Sequence, residues 1–164
     1  MNQEMLKSQL RVLTGLVHYI FLSPLPVVAG LYYYYPASPE VWRSDFGTFF
    51  SATALFAGMT VAIAHWVYGQ TISRETLEMR YRGVGFTSAA SSFRVGILLC
   101  AGLGDFTALL AVGFYLITRE PIHLGVLLFF WAVHYTLGNL WLRSGRLTLL
   151  SLIQKDEARV ARAA

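Results

Sequence analysis

Apolar positions gather into four long runs, at about Leu13 to Tyr35, Gly47 to Tyr68, Val95 to Ile117 and Ile122 to Leu142, and Asp105 is the only charged residue inside any of them. Each run has the roughly 20 residues that a helix needs to cross the hydrocarbon core of a bilayer. The pattern predicts an all-α protein, a four-transmembrane-helix bundle of two helical hairpins, the first over about 11–82 and the second over about 94–164. The spans and their connections consume nearly all of the 164 residues, so the chain reads as a single integral membrane domain.

The connections carry their own signals. Pro36-Ala37-Ser38-Pro39 and Glu120-Pro121 are strong breakers and mark tight hairpin ends. The central linker, Gly69 to Phe93, opens with a helix-compatible stretch, Ser73 to Arg82, that bears mixed charges at helical spacing. It then loosens at Gly83, Gly85 and the Thr87 to Ser92 run, which predicts an amphipathic extension of the second helix followed by a flexible return. Leu147 to Ala164 turns from apolar to charged at Lys155, so the fourth helix is expected to continue beyond the membrane as a solvated, membrane-surface or partner-docking face. The hairpins also resemble copies of each other. Arg11-Val12 opens the first span as Arg94-Val95 opens the third, Gly30-Leu31-Tyr32 recurs as Gly113-Phe114-Tyr115, and Trp66 and Trp141 close the second and fourth. Such copies would run in parallel, which argues against an inverted-repeat transporter.

Charge sets the orientation. Eleven of the thirteen Lys and Arg residues lie in the amino-terminal, central and carboxyl-terminal segments, and only Arg43 and Arg119 lie on the other side. By the positive-inside rule both termini and the central linker are cytoplasmic, in a bacterial-type inner membrane. Tyr32 to Tyr35 with Trp42 form an expected outer aromatic belt, and Trp66, Tyr68 and Trp141 an inner one. Composition agrees, with 55% hydrophobic and 13% charged residues against about 25% charged in a typical soluble domain. The net charge of +4 flanks the spans, so its expected partner is the lipid bilayer and not nucleic acid. The first run continues to Tyr35 and is followed by three more, so it is expected to be retained and not cleaved as a signal peptide. The lone Cys100 has no intrachain disulfide partner and reads as a packing residue.

Polar chemistry concentrates near the middle of the spans. An ionised carboxylate at the depth of Asp105 costs at least a few kcal/mol, so the group must be protonated, paired or facing water. At the same depth the first span carries Ser23-Pro24-Leu25-Pro26. Pro24 and Pro26 remove the bonds that the Ile20 and Leu22 carbonyls would accept, leaving a kink that needs other donors or an ion. Thr60, Thr107 and His134 fall near the same level. A protonated Asp105 donating to a freed carbonyl makes this layer a structural lock; a hydrated Asp105 makes it a proton or cation station.

His18 and His65 both lie near the cytoplasmic face, where two imidazoles would suit axial ligation of a haem b iron across a bundle; otherwise they are polar interface residues. No metal cofactor is otherwise indicated, because no metal-spaced Cys/His cluster is present. Nor is there a nucleophile elbow, P-loop or dinucleotide fingerprint, so nothing points to an enzyme. The second span places Gly47, Ser51, Ala54, Gly58 and Ala62 at steps of four, three, four and four, on one helix face. The third has a shorter stripe, Gly104, Ala108 and Ala111. In lipid such stripes let backbones approach closely, either within one bundle or between subunits.

The paired hairpins, the small-residue stripe and the single carboxylate within Ala101-Gly102-Leu103-Gly104-Asp105-Phe106-Thr107-Ala108 resemble the proteolipid c-subunits of rotary ATPases, over the four spans in outline. The resemblance implies an oligomeric ring with Asp105 as ion carrier. Taken together, the expectation is a non-enzymatic membrane subunit of a homo-oligomer or larger membrane complex. Ion translocation through Asp105 is the first alternative, and a haem b electron carrier using His18 and His65 is the second.

Overall fold

The structure is a computed structural model that describes residues 3–35 and 46–163; for a few helical residues, Gly47 and Ala111 among them, only the backbone is described. The expected outer loop from Pro36, with Trp42 and Arg43, lies outside the described residues. The rest forms six helices and no strand: α1 Gln3–Leu22, α2 Pro24–Tyr34, α3 Phe46–Thr71, α4 Arg74–Val84, α5 Phe86–Thr118 and α6 Pro121–Ala163. Four helices are long and apolar enough to cross a membrane, with α1 and α2 together forming the first span.

Length shows which parts stand outside a bilayer. At about 1.5 Å per residue, the 33 residues of α5 and the 43 of α6 far exceed what a hydrocarbon core of about 30 Å needs. Both run on past the end of the bundle that carries the Lys and Arg clusters, here termed the basic end. The expected continuation of the fourth helix is therefore present as a helix. The linker departs from expectation. Ser73 caps a separate helix by accepting from the Thr76 amide at 3.3 Å, so α4 is not an extension of α3. The turn after α4 is compressed into Gly85, whose φ of 106° suits a residue without a Cβ. The expected flexible return, Thr87 to Ser92, is instead the first part of α5. It is helical because Ala89, Ala90 and Phe93 bury against Ile72, Leu77, Leu149 and Leu152, and the Ser92 hydroxyl donates to the Thr71 carbonyl at 3.0 Å.

The core follows helical spacing. On α1 it takes Leu6, Leu10, Leu13, Val17 and Phe21, and on α3 it takes Thr53, Ala57, Thr60, Ala64 and Val67. Among the described residues α1 packs on α5, α6 and α2, while α3 packs on α5, α6 and α4. Among the described residues α5 and α6 form the most extensive contact of the fold, and the first two spans meet chiefly through these two helices. The apparent copies do not occupy equivalent places. Tyr32 is exposed while Tyr115 is fully buried, with its hydroxyl donating to the Tyr35 carbonyl at 2.5 Å. Arg119 closes α5 in the left-handed region, φ 57°, with its guanidinium 4.6 Å from the centre of the Tyr35 ring. These two contacts tie the far end of the first span to that of the third. At the basic end Arg94 donates to Gln9 and Tyr81 to Asp156 at 3.1 Å, joining α1 to α5 and α4 to α6.

Candidate functional site

The first span breaks at Ser23. Pro24 begins α2 without an N–H, and the Ser23 hydroxyl reaches the Ile20 carbonyl that the proline leaves free, at 2.9 Å; beside it the Trp131 indole N–H reaches the Phe21 carbonyl at 2.7 Å. The donor expected from Asp105 at the Ile20 carbonyl is supplied by Ser23. Asp105 enters one bond further out, with Oδ1 3.4 Å from the Ser23 oxygen. One hydroxyl carries one proton. When Ser23 donates to Ile20, the contact with Asp105 is a hydrogen bond only if Asp105 is protonated and donates. When Asp105 is ionised the Ser23 proton must turn to it, and the Ile20 carbonyl keeps only the Ser23 amide at 3.3 Å. Asp105 is half-buried and Ser23 exposed, so this pair sits at the margin of the bundle and not in its centre. Pro24 is buried, whereas Pro26 is exposed.

Two residues along α5, Thr107 meets Thr60 of α3 at 2.7 Å with both side chains buried. Thr107 also donates to the Leu103 carbonyl at 2.8 Å, so Thr60 to Thr107 to Leu103 is a satisfied chain across two helices. His134 of α6 is 3% exposed. Its Nδ1 faces the Phe130 carbonyl at 3.0 Å, which requires the proton there and leaves Nε2 as a bare acceptor. Nε2 is buried and has no hydrogen-bond partner, an arrangement that costs about 1–3 kcal/mol. Between these groups Phe21 is wedged against two glycines: a Cβ on Gly104 would lie 2.7 Å from its ring and one on Gly138 2.8 Å from it. The residues expected at one depth therefore fall into three neighbouring groups along α5, Asp105 with Ser23, Gly104 with Phe21 and His134, and Thr107 with Thr60.

The two remaining candidate histidines are not brought together. His18 lies on α1, its Nδ1 2.8 Å from the Thr14 carbonyl and its ring 6.1 Å from that of Tyr135. His65 is exposed on α3, beside Tyr68 and Trp141. Their ring contacts differ, and among the described residues no contact joins His18 to His65. Among the described residues no three His, Cys, Asp or Glu side chains form a group able to hold a metal ion.

The two small-residue stripes have different fates. On α5, Gly104 and Ala108 are buried inside the bundle. On α3, Ser51 and Ala62 are exposed, Ala54 and Gly58 are half-exposed, and a Cβ on Gly58 would meet nothing within 4 Å. Among the described residues the α3 stripe is thus at most half covered by the chain itself. The side chains of Gly47 and Ala111 lie outside what is described.

A second polar cluster went unread in the sequence. At the end opposite the basic one, His123 is fully buried, with Nε2 3.2 Å from Glu120 and Nδ1 3.0 Å from the Thr53 hydroxyl. Phe114 stacks on the imidazole at 6.0 Å. An ionised Glu120 accepts only, so Nε2 carries a proton and Nδ1 can accept from Thr53, pairing both ring nitrogens. The available signal was the spacing of Glu120 and His123 by three residues astride Pro121, which places both on the first turn of α6. No protein-family model, curated protein or solved structure matches the chain.

Proposed function

We propose that this chain is a non-enzymatic integral membrane subunit that assembles with copies of itself, or with other membrane subunits, through the outward face of α3. The observation that carries this reading is the placement of Ser51, Ala54, Gly58 and Ala62 on a surface that the described residues leave exposed or half-exposed. Apolar burial gives little advantage between helices in lipid, whereas close backbone approach gains dispersion contacts. The asymmetry with α5, whose stripe is used up inside the bundle, is what favours packing between subunits. The clustering of Lys and Arg at one end supports a cytoplasmic basic end in a bacterial-type inner membrane. From the resemblance to rotary proteolipids we take only oligomeric packing, because in that family the carboxylate lies on a hairpin's second helix and here Asp105 lies on the first helix of the second hairpin.

The test is the native mass of the particle extracted in mild detergent, with its co-purifying chains identified. Several copies, or a fixed set of foreign subunits, is the expected result. A single chain at concentrations where the bundle is folded would overturn the proposal.

One further reading is favoured by a specific observation, the half-buried Asp105 at the bundle margin beside the Ser23 kink. A carboxylate at that depth needs water, a partner or a proton, and all three suit a proton or cation station at a subunit boundary. Flux into proteoliposomes that survives Asp105→Asn unchanged would remove this second reading.

A further inference from the structure

An open groove of about 490 Å³ lies between α1 and α6 at the basic end, lined by Thr14, His18, Asn139, Arg143, Arg146 and three α6 leucines including Leu147. It is separate from the polar layer around Asp105. Arg143 and Arg146 lie three residues apart, hence on one helix face, and both are exposed. The ion pairs of the basic end are Lys7 with Glu4, and Arg74 and Arg82 with Glu78. Among the described residues neither groove arginine has a carboxylate partner. Asn139 uses one amide N–H on the Tyr135 carbonyl, at 2.8 Å, and keeps its other for a ligand. His18 is held in the wall by its bond to the Thr14 carbonyl.

The groove begins where the fourth apolar run ends, at Leu142, which is the depth of lipid head groups for a helix that crosses the membrane. Two guanidinium forks match the paired oxygens of a phosphate better than a single cation does. The leucine wall beside them suits an acyl chain and has no use for a small soluble anion. We propose that this groove binds the head-group phosphate of an anionic phospholipid, with Arg143 and Arg146 as its cationic ligands and Asn139 as a neutral donor. The proposal rests on the chain crossing a membrane, and it stands whether or not the α3 face is a subunit interface.

Native mass spectrometry of the full chain, supplied with equimolar phosphatidylglycerol and phosphatidylcholine, reads the preference directly. The wild type is expected to retain phosphatidylglycerol in preference. A lysine or arginine near the membrane surface is worth about fivefold in binding anionic lipid, so Arg143→Gln with Arg146→Gln should lower the preference on the order of 20-fold or more. Lys155→Gln with Arg159→Gln removes the same charge from exposed positions further along α6 and should leave the preference intact. Equal losses in the two double variants would mean diffuse attraction and would overturn the site. Equal retention of both lipids by the wild type would do the same. Displacement of the lipid by millimolar inorganic phosphate would show a free-anion site and refute the assignment to lipid.

Discussion

Ser23 and Asp105 are joined through a single hydroxyl proton that two acceptors claim, the Ile20 carbonyl at 2.9 Å and Asp105 at 3.4 Å. Protonation of Asp105 is therefore coupled to the way the helix break is satisfied. Asp105→Asn supplies an amide donor in the place of the carboxylic proton, so it should keep the fold while removing the ability to exchange protons. Ser23→Ala leaves the Ile20 carbonyl short of a donor and should cost about 1 kcal/mol. Denaturation in mixed detergent micelles, compared for the two variants, checks the pair. Greater destabilisation by Asn than by Ala would contradict the coupling.

Phe21 is held between Gly104 and Gly138 in a slot without slack. A methyl group at Gly104 would come within 2.7 Å of its ring, and on the other edge the ring lies so near Gly138 that a Cβ there would come within 2.8 Å. Gly104→Ala is expected to lose about 1–3 kcal/mol by overpacking. Gly102→Ala, two residues away where nothing lies within 4 Å, should be neutral or stabilising by a fraction of a kcal/mol through helix propensity. Melting curves of the two variants, which add the same atoms to the same helix, separate packing from propensity. Similar midpoints would show that the slot is looser than its geometry indicates.

The spans were legible because bilayer thickness dictates their length, and depth could be counted along each helix; hence Thr60 and Thr107, or Ser23 and Asp105, were placed at one level before any contact was known. Which helix lies beside which was not legible. The apolar face of α1 meets α5 and α6 and not its sequence neighbour α3, and nothing in a 3.6-residue period names the partner. At the start of α5, Thr87 to Ser92 is small and polar and carries a local loop signal. Its helical state comes from burying Ala89, Ala90 and Phe93, a tertiary effect that overrides local propensity. The role of Trp131 has no local signal, since its bond to the Phe21 carbonyl spans 110 positions of sequence.

Glu120 and His123 satisfy each other where almost no water reaches, with side-chain exposures of 6% and 0%. Removing one member takes a buried polar partner from the other, so His123→Leu or Glu120→Leu alone should cost about 1–3 kcal/mol. The double variant should be less damaging than the sum of the singles, because the contact between the two side chains is then lost only once. A double-mutant cycle on thermal stability measures the difference, with an expected coupling of about 1–3 kcal/mol. Strict additivity would mean that the two side chains act independently despite their 3.2 Å separation.

Gly58 separates the role of the α3 face in assembly from any role in folding. It is half-exposed, with no atom within 4 Å of the position a Cβ would take, so a bulky side chain there finds room within the chain and should not disturb the bundle. If a second helix lies against this face at close range, the same side chain must hold it off, and contacts that depend on small residues are lost. Gly58→Leu is therefore expected to keep the helical content and melting behaviour of the wild type while shifting the native mass toward one chain. Gly125→Leu serves as the control, since that position is also open but lies on α6. A variant at Gly58 that assembles like the wild type would move the interface elsewhere. One that unfolds would show that α3 uses this face inside the chain after all.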